Sequence, residues 1–252
     1  MKYVFYGKYE EKLKEKLSFL EYDEKQPDLV FSFGGDGTML GAIHKYMNII
    51  DEVKFIGIKT GNLGFFTDFE YDEFEKAVAM VAQKECKENK YRLLEFTIRN
   101  KEKEEKGYAV NEVSLINPIH TQIIEVCING KTFEMFRGTG MLASPPTGST
   151  AFNKSLGGSI LDPAIEAFQL TEFAALNNTV YNAISSPIIL SKGTLLTLKT
   201  NESKNIYLSI DGREYNFKDV EEIDIRLSDK FVNIISKRDT IFWDRVKKAF
   251  LK

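Results

Sequence analysis

The chain contains 252 residues with a formal net charge of −3, and 43% of its residues are hydrophobic. This length allows one large or two modest domains with a buried core, and the weakly acidic balance argues against a nucleic-acid-binding protein. Two cysteines are too few for a disulfide framework or a zinc site, and no apolar run reaches the ~18 residues of a membrane-spanning helix. The first residues also lack the apolar stretch of a signal sequence, so we expect a cytoplasmic enzyme with no membrane partner.

The first ninety residues alternate between short apolar runs and amphipathic stretches. Strands are predicted at 3–6, 29–33 and 53–58, and helices at 10–19, 39–47 and 72–82. This alternation predicts a parallel sheet covered by helices, with ligands bound beyond the carboxyl ends of the strands. Two glycine turns lie at such ends, at residues 34–38 and 60–66.

From Arg92 onward the segments are short and rich in β-formers. Strands are predicted at 95–99, 108–116, 122–128, 132–136, 195–199, 207–210, 223–227 and 232–235, with a solvated hairpin tip at 100–106. This pattern is typical of an antiparallel β-sandwich, and an amphipathic helix over 240–250 should pack back on the first part. The predicted fold class is therefore α/β plus all-β: a Rossmann-like α/β domain at 1–90 joined by 238–252, and a β-sandwich domain at 91–237.

The first glycine turn reads Gly34-Gly35-Asp36-Gly37-Thr38 and lies between a predicted strand and a predicted helix. This arrangement places backbone N–H groups where they can hold phosphate oxygens. A carboxylate there would repel a polyphosphate unless it had a task of its own, such as accepting a proton or organising Mg²⁺. The alternative interpretation of Asp36 is a helix cap in a tight turn.

The pair Asn111-Glu112 interrupts the apolar run 108–116. Two polar residues in a buried strand are costly unless they are partnered, and two ligand hydroxyls would partner them. The alternative is an outward-facing pair on an edge strand.

Residues 144–158 read SPPTGSTAFNKSLGG and offer many neutral hydrogen-bonding groups with one aromatic ring, Phe152. A neutral polar cradle with a flat ring suits a nucleoside better than a cluster of phosphates. The alternative is the capped start of a Ser/Thr-rich helix.

Other signatures are weak. Gly130-Lys131-Thr132 lacks the upstream glycine of a Walker A loop, and 138–143 matches a dinucleotide fingerprint but is followed by two prolines where a helix should begin. Neither His44 nor His120 has a second histidine at ligand spacing, so we expect neither a metal site nor a catalytic triad from them.

In their order and spacing, residues 34–38, Asn111-Glu112 and residues 146–151 (PTGSTA) resemble the NAD kinase family. Residues 57–66 (GIKTGNLGFF) are similar to that family's second glycine turn, and the likeness covers nearly the whole chain. It is closest to the short bacterial members. The first motif is shared with diacylglycerol-type lipid kinases and 6-phosphofructokinases, whereas the second and third together are far more specific.

The resemblance implies a kinase that transfers the γ-phosphate of ATP to the 2′-hydroxyl of the adenosine ribose of NAD and so makes NADP. Mg²⁺ or another divalent cation would accompany ATP, and polyphosphate is a donor for some relatives. Members are homodimers or homotetramers in which neighbouring subunits help to build the site. The β-sandwich domain would bind NAD and mediate this assembly.

The family's catalytic aspartate falls on Asp36, which would act as the general base. Its ribose-binding pair falls on Asn111 and Glu112, and a residue near the nicotinamide end, expected in a helix after the glycine pair 157–158, falls on Ala174. The other expected binding residues are Gly35, Gly37, Thr38, Asn62, Phe65, Arg137, Thr139, Thr147, Thr150, Ala151, Phe152, Asn153, Lys154 and Ser155.

The chain departs from the family pattern at three positions. Thr139 stands where close relatives often carry Asp, so an acidic contact to the dinucleotide is weakened or lost. Phe152 stands where Tyr is usual, and Pro145 where Thr is commoner.

Two other functions fit part of the sequence. A lipid kinase would share the first glycine turn but should show a basic or apolar membrane-facing segment, and the sequence has none. A non-catalytic dinucleotide-binding regulator would not need Asp36. The sequence does not decide the choice between ATP and polyphosphate, between NAD and NADH, or between dimer and tetramer.

Overall fold

The computed structural model describes residues 1–61, 64–200 and 206–251. The chain divides into two compact units, which we call the α/β unit (Met1–Tyr91 with Lys230–Lys252) and the β unit (Arg92–Asp229). None of the helices in the described ranges is long and apolar enough to cross a membrane.

The N-terminal part of the α/β unit is a parallel sheet with helical connections. Its strands and helices are β1 (Lys2–Gly7), β2 (Glu21–Tyr22), β3 (Leu29–Phe33), α1 (Asp36–Lys45), β4 (Lys54–Lys59), β5 (Phe69–Glu70) and α2 (Phe74–Ala82). Short 3-10 helices lie at Glu11–Leu17, Met47–Ile49 and Tyr71–Glu73. The strand order is β2-β1-β3-β4 with β5 beside β4, and every pair is parallel. The predicted α/β architecture is therefore confirmed.

Burial of aromatic side chains holds this sheet together. All five residues of β3 are buried, as expected for a strand covered on both faces. Phe5 packs edge-on against Phe31 and Phe33, with ring centroids 5.7 and 5.0 Å apart, and Phe74 from α2 lies 5.3 Å from Phe31. The second strand and the third helix of the sequence pattern thus meet in one core.

Two predicted helices differ from the structure. The helix expected at 39–47 begins at Asp36, because the side chain of Asp36 makes tertiary contacts that outweigh the low helix propensity of the flanking glycines. The stretch 10–19 forms a 3-10 helix at Glu11–Leu17 instead of an α-helix. Seven residues are too few for a stable isolated α-helix, and only Leu13 and Leu17 bury their side chains.

The β unit contains most of the remaining strands. In chain order the elements are β6 (Lys87–Arg99), β7 (Glu104–Ala109), β8 (Val113–Ile116), β9 (Gln122–Ile128), β10 (Lys131–Gly138), β11 (Gly140–Ser144), a 3-10 helix (Thr147–Thr150), α3 (Phe152–Ser155), β12 (Ala167–Phe173), β13 (Ile188–Ser191), β14 (Leu196–Thr200), β15 (Tyr207–Ile210), β16 (Arg213–Glu214) and β17 (Glu222–Ser236). Strand β6 begins in the α/β unit, and β17 ends there, where residues 233–235 pair with β4.

Two sheets enclose the core of the β unit. One has the order β10-β9-β14-β17 with β6 and β7 beyond it, and the other has the order β13-β12-β11-β8-β15-β16. A single buried cluster draws on both sheets, including Phe96, Val126 and Phe136 from the first and Leu115 and Phe168 from the second. Sharing one core between two sheets makes this unit a β-sandwich, as the sequence predicts.

Several predicted boundaries in the β unit are wrong. The run 108–116 is split, because β7 ends at Ala109 and β8 begins at Val113, so Asn111-Glu112 lies between strands and not within one. The predicted strands 223–227 and 232–235 are one long strand, β17. The hairpin tip is confined to 100–103, since β7 already begins at Glu104.

One further expectation is wrong, because a residue that was expected in a helix follows a strand. Ala174 follows β12 with φ of 46° and is not in a helix. Residues 138–143 run into β11, so the helix that a dinucleotide fingerprint requires is absent there, in agreement with the two prolines that follow. After β17 the chain forms α4 (Phe242–Phe250), slightly shorter than the predicted helix, and it belongs to the α/β unit.

Candidate functional site

Asp36 is the first residue of α1 and its carboxylate binds the second glycine turn. The backbone N–H of Phe65 donates to Oδ2 at 2.9 Å, and the N–H of Phe66 donates to Oδ1 at 3.0 Å. The side chain does not cap its own helix, whose N-cap is Gly35. The two glycine turns meet because β3 and β4 are paired in parallel, with Phe33 opposite Ile58.

The glycines around Asp36 serve two different needs. A Cβ at Gly64 would overlap the carboxylate of Asp36, and a Cβ at Gly34 would overlap the side chain of Thr38. By contrast, a Cβ at Gly35 or Gly37 would meet no described atom within 4 Å. Packing therefore does not explain these two glycines, whereas close approach of a ligand to the backbone would.

The other sequence-predicted residues of this turn have mixed outcomes. Asn62 lies outside the described residues. Phe65 is half-buried, and its ring stacks on Phe250 of α4 with centroids 5.9 Å apart and lies 6.1 Å from Phe242. Much of the Phe65 ring is thus used for packing against the C-terminal helix.

In the β unit, the carboxylate of Asp211 holds the segment that carries Asn111 and Glu112. Asp211 accepts from the backbone N–H groups of Val110 (2.9 Å), Asn111 (2.6 Å) and Glu112 (3.2 Å), and its own N–H donates to the Glu112 carbonyl at 3.0 Å. Asp211 has φ of 51° in the turn between β15 and β16. Nothing in the sequence pattern indicates that this turn binds a segment about a hundred residues away.

Asn111 and Glu112 are both buried, with exposed fractions of 8% and 3%. Asn111 Oδ1 and Glu112 Oε2 find no hydrogen-bond partner in the described part of the protein. Burial, followed by the negative charge of Asp211, raises the pKa of Glu112 to about 7. Buried oxygens without partners are rare in native proteins, so Asn111 and Glu112 are candidate positions for accepting hydrogen bonds from a ligand.

The stretch 144–150 packs directly on this segment. The hydroxyl of Thr147 donates to the Val110 carbonyl, and Ser144 Oγ donates to the Asn111 carbonyl at 2.9 Å. A Cβ at Gly148 would overlap the backbone of Asn111. Two motifs that are more than thirty residues apart in the sequence therefore form one structural site.

The residues that follow divide into inward-facing and outward-facing side chains. Asn153 is fully buried and bonded within the unit, since it accepts from Thr171 Oγ1 at 2.7 Å. Phe152 is 38% exposed and Ser155 is exposed, while Thr150, Ala151 and Lys154 are intermediate. Asn153 thus shapes the loop, and the ring of Phe152 is accessible to a ligand.

Arg137, Thr139 and Ala174 lie together where β10 turns into β11. The N–H of Thr139 donates to the Phe173 carbonyl at 3.0 Å, and a Cβ at Gly138 would lie 2.7 Å from the Ala174 carbonyl. The guanidinium of Arg137 lies 4.4 Å from the ring centroid of Tyr181. A cavity of about 290 Å³ extends from Ala174 and Glu172 to Gly157, at the end of the 144–158 stretch.

The candidate residues thus form one group around Asp36 in the α/β unit. In the β unit they lie around Asn111 and Glu112 and around Ala174. Sequence reasoning missed Asp211 and Arg245. Arg245 is a buried residue of α4 that donates to the Phe65 carbonyl. An Asp-Gly turn and an Arg in an amphipathic helix both have ordinary surface explanations, so neither stands out in a single sequence.

Within the described ranges, no group of three or more His, Cys, Asp or Glu side chains could hold a metal ion. Asp36 is a single carboxylate beside a glycine turn. Mg²⁺ prefers few carboxylates together with phosphate oxygens and water, so this donor set fits a cation that arrives with a nucleotide.

Comparison with known proteins extends over both units. The model of the ATP-NAD kinase N-terminal domain matches residues 5–86, and that of the C-terminal domain matches residues 110–237. A NAD kinase of Geobacillus stearothermophilus is 42% identical over 234 residues, which cover 92% of this chain and 86% of the relative.

Two solved structures are also similar to this chain. Yeast NADH kinase, solved in complex with NADH, superposes with a TM-score of 0.80 at 25% identity, covering 92% of this chain and 69% of that one. A NAD kinase from Archaeoglobus fulgidus, solved in complex with ATP, has a TM-score of 0.77 at 20% identity, covering 99% and 97%. At 20% identity, the similarity to the Archaeoglobus fulgidus structure is a similarity of fold alone.

Proposed function

The chain belongs to the NAD kinase family, and from this premise we propose how its residues convert NAD to NADP. It is a kinase, a phosphotransferase that acts on NAD. We infer that the acceptor is the 2′-hydroxyl of the adenosine ribose and that the donor is ATP, the nucleotide named in both matching domain families.

The general base in this proposal is Asp36. The hydroxyl oxygen attacks the γ-phosphorus, its proton passes to the Asp36 carboxylate, and the bond from the γ-phosphorus to the bridging oxygen breaks to release ADP. The observation that supports this role is a carboxylate held by two backbone N–H groups and flanked by glycines with open space. A fixed base positioned for one proton contributes ~10²–10⁴-fold to the rate.

Asn111 and Glu112 are proposed to bind hydroxyl groups of the dinucleotide. Their buried oxygens without partners in the described chain support this role, because ligand hydroxyls would supply the missing donors. Phe152 would lie against a base, with Thr147 and residues 150–155 around it. Arg137, Thr139 and Ala174 would contact the remainder of the dinucleotide across the cavity that Ala174 lines.

Domain roles follow the same division. We propose that residues 1–90 with 238–252 hold the phosphoryl-transfer turn, with Gly35, Gly37, Thr38 and Phe65 around Asp36, and that Asn62 also binds substrate. Residues 91–237 would bind NAD and mediate assembly. A divalent cation such as Mg²⁺ would neutralise phosphate charge when it enters with ATP, held mainly by the phosphates.

The cellular setting is also a proposal. The enzyme would supply NADP in the cytoplasm as a homodimer or homotetramer. Two free cysteines, Cys86 and Cys127, are compatible with a reducing compartment. Polyphosphate remains an alternative donor to be compared with ATP.

The first prediction tests the activity and its base together. Protein incubated with NAD and MgATP should form NADP, and Asp36→Asn should reduce turnover by at least ~10² while the dinucleotide still binds. NADP formation is followed by the reduction of NADP in a coupled reaction with an NADP-specific dehydrogenase, and binding is measured by calorimetry. A parallel reaction with diacylglycerol tests lipid phosphorylation.

Two results would contradict the proposal. Phosphatidate formation without NADP would make the protein a lipid kinase. Near-normal NADP formation by folded Asp36→Asn would exclude Asp36 as the base.

A further inference from the structure

A single peptide group lies between Asp36 and the C-terminal helix. It joins Phe65 to Phe66, and its N–H donates to Asp36 Oδ1 at 3.0 Å. Its carbonyl oxygen accepts a hydrogen bond from Nη1 of Arg245. Because a trans peptide is planar and its C=O and N–H point in opposite directions within that plane, Arg245 and Asp36 bind opposite edges of the same peptide group.

Arg245 is itself fixed in place. Its side chain is only 10% exposed and pairs with Asp68, which is 8% exposed, through Nη2 and Oδ1 at 2.6 Å. Its fork of N–H donors therefore reaches two acceptors at once, a carboxylate and a backbone carbonyl. Burial of an arginine is costly, and nothing in the amphipathic pattern of α4 requires a charge at this position.

The same helix also holds the residue whose carbonyl Arg245 binds. Phe250 stacks on the Phe65 ring, and Phe242 lies beside it. The preceding peptide contributes the second N–H, which donates from Phe65 to Asp36 Oδ2 at 2.9 Å. The C-terminal helix α4 thus holds the second glycine turn by two contacts, one to the ring of Phe65 and one to the Phe65 carbonyl.

We propose that Arg245 is a positioning residue for phosphoryl transfer, which holds the 65–66 peptide in the orientation that aims its N–H at Asp36. If this peptide rotated, the Phe65 carbonyl would turn toward the carboxylate and repel it. A base that is displaced by about 1 Å loses a large part of its effect, because proton transfer requires hydrogen-bond geometry. The inference rests on the proposed role of Asp36 as the general base.

The test compares two substitutions with a matched control in the same helix. Arg245→Met removes the donors and keeps much of the apolar stem, and Arg245→Lys keeps a charge for Asp68 without the planar fork. Kcat for NADP formation should fall about tenfold to hundredfold in Arg245→Met and less in Arg245→Lys, with the KM for NAD within about twofold. Val246→Ala removes buried packing next to Arg245 and should lower the melting temperature without lowering kcat.

A double variant separates this inference from the function on which it rests. If Arg245 acts through Asp36, then Arg245→Met should cause no further loss of kcat in an Asp36→Asn background. If the double variant instead loses kcat by the product of the two single losses, the positioning role is overturned. An unchanged kcat in folded Arg245→Met, or in folded Arg245→Lys if the Met variant does not fold, would overturn it as well.

Two other outcomes would also overturn the inference, for different reasons. If Asp36→Asn alone keeps normal turnover, the general base is wrong and the positioning role fails with it. If Val246→Ala loses kcat as much as Arg245→Met does, helix docking and not the Arg245 contact controls the rate, which also overturns the inference.

Discussion

Two carboxyl groups in the β unit, the buried Glu112 and the half-buried Glu172, have raised pKa values, and their surroundings differ. Burial raises the pKa of both Glu112 and Glu172 to about 7. Glu112 belongs to the segment proposed to bind NAD. Glu172 faces Glu134, whose charge adds to the effect of burial, and it accepts from the Ser185 N–H at 3.0 Å. The free energy of unfolding should therefore depend on pH through each of these two groups.

Glu172 should make the folded protein less stable as the pH rises. In the unfolded chain the group titrates near its ordinary value, so between about pH 4.5 and 7 the folded state binds more protons than the unfolded state, and stability falls with increasing pH. Glu172→Gln should reduce this fall and raise the melting temperature near pH 8. Melting curves across this range measure it.

Two comparisons make this measurement specific. Glu112 also makes stability fall with rising pH. In Glu172→Gln the slope of melting temperature against pH should therefore become smaller but should not vanish. Substitution of the exposed Glu102 by Gln should leave the slope unchanged, and an unchanged slope in Glu172→Gln would refute the assignment.

Phe152 is an exposed aromatic residue beside the buried Asn153. Phe152→Ala should weaken NAD binding by ~1–3 kcal/mol, the range for stacking of an aromatic ring on a base, and Phe152→Tyr should be nearly neutral because the ring remains. Titration calorimetry with NAD measures both. Equal losses in the two variants would show that the position requires a particular packing volume and does not provide a surface for a base.

At the scale of elements, the 3-10 turn Thr147–Thr150 and the segment that follows β7 depend on each other. Gly148 lies against the backbone of Asn111, so Gly148→Ala must displace one of the two. Overpacking of this kind costs about 1–3 kcal/mol. The melting temperature should fall and the KM for NAD should rise, because the displaced segment carries Asn111 and Glu112.

A glycine in open space provides the control for this substitution. A Cβ at Gly193 would meet no described atom within 4 Å, so Gly193→Ala should change neither quantity. If Gly148→Ala keeps the KM of the parent and only the melting temperature falls, the turn supports the fold without shaping the NAD site.

The elements show what a single sequence can predict. Periodicity identified β3, β9 and β15 well, since their apolar and polar residues match the burial of a strand. It failed at Asn111-Glu112, because the apolar residues on both sides continue the pattern while the carboxylate of Asp211 breaks the strand. Tertiary hydrogen bonds of this kind leave no periodic signal.

The candidate site follows the same rule. The glycine turn around Asp36 and the 144–155 stretch are recognisable because their composition is unusual. The roles of Arg245 and Asp211 depend on which distant backbone each side chain meets, and composition does not encode that. Ala174 was expected in a helix, whereas it follows a strand with a left-handed backbone conformation.

At the scale of the whole molecule, both ends of the chain build the α/β unit. Residues 230–252 join residues 1–91, and the ion pair between Lys237 and Glu73 (2.6 Å) adds to the contacts of Arg245. The proposed catalytic turn therefore requires the C-terminal helix. Removal of this helix should affect activity through the same contacts that the Arg245 variants test.

The surface of the β unit supports an oligomer. Strand β10 lies at the end of its sheet and exposes Phe133 (47%) and Met135 (38%), while Ile123 of β9 is 36% exposed opposite Arg137. Exposed apolar side chains on an edge strand favour association with another chain that covers them. A symmetric assembly would cover them with the same surface of a second copy.

We expect the active protein to be a homotetramer, with a homodimer as the smaller alternative. Size exclusion coupled to light scattering should give a mass above that of one chain, and Met135→Glu should reduce that mass because the charge would be buried in the contact. Lys131→Glu, on the same strand but outside the apolar group, is the matched control. A monomer at micromolar concentration that retains full activity would contradict the assembly. It would also contradict the expectation that neighbouring subunits help to build the site.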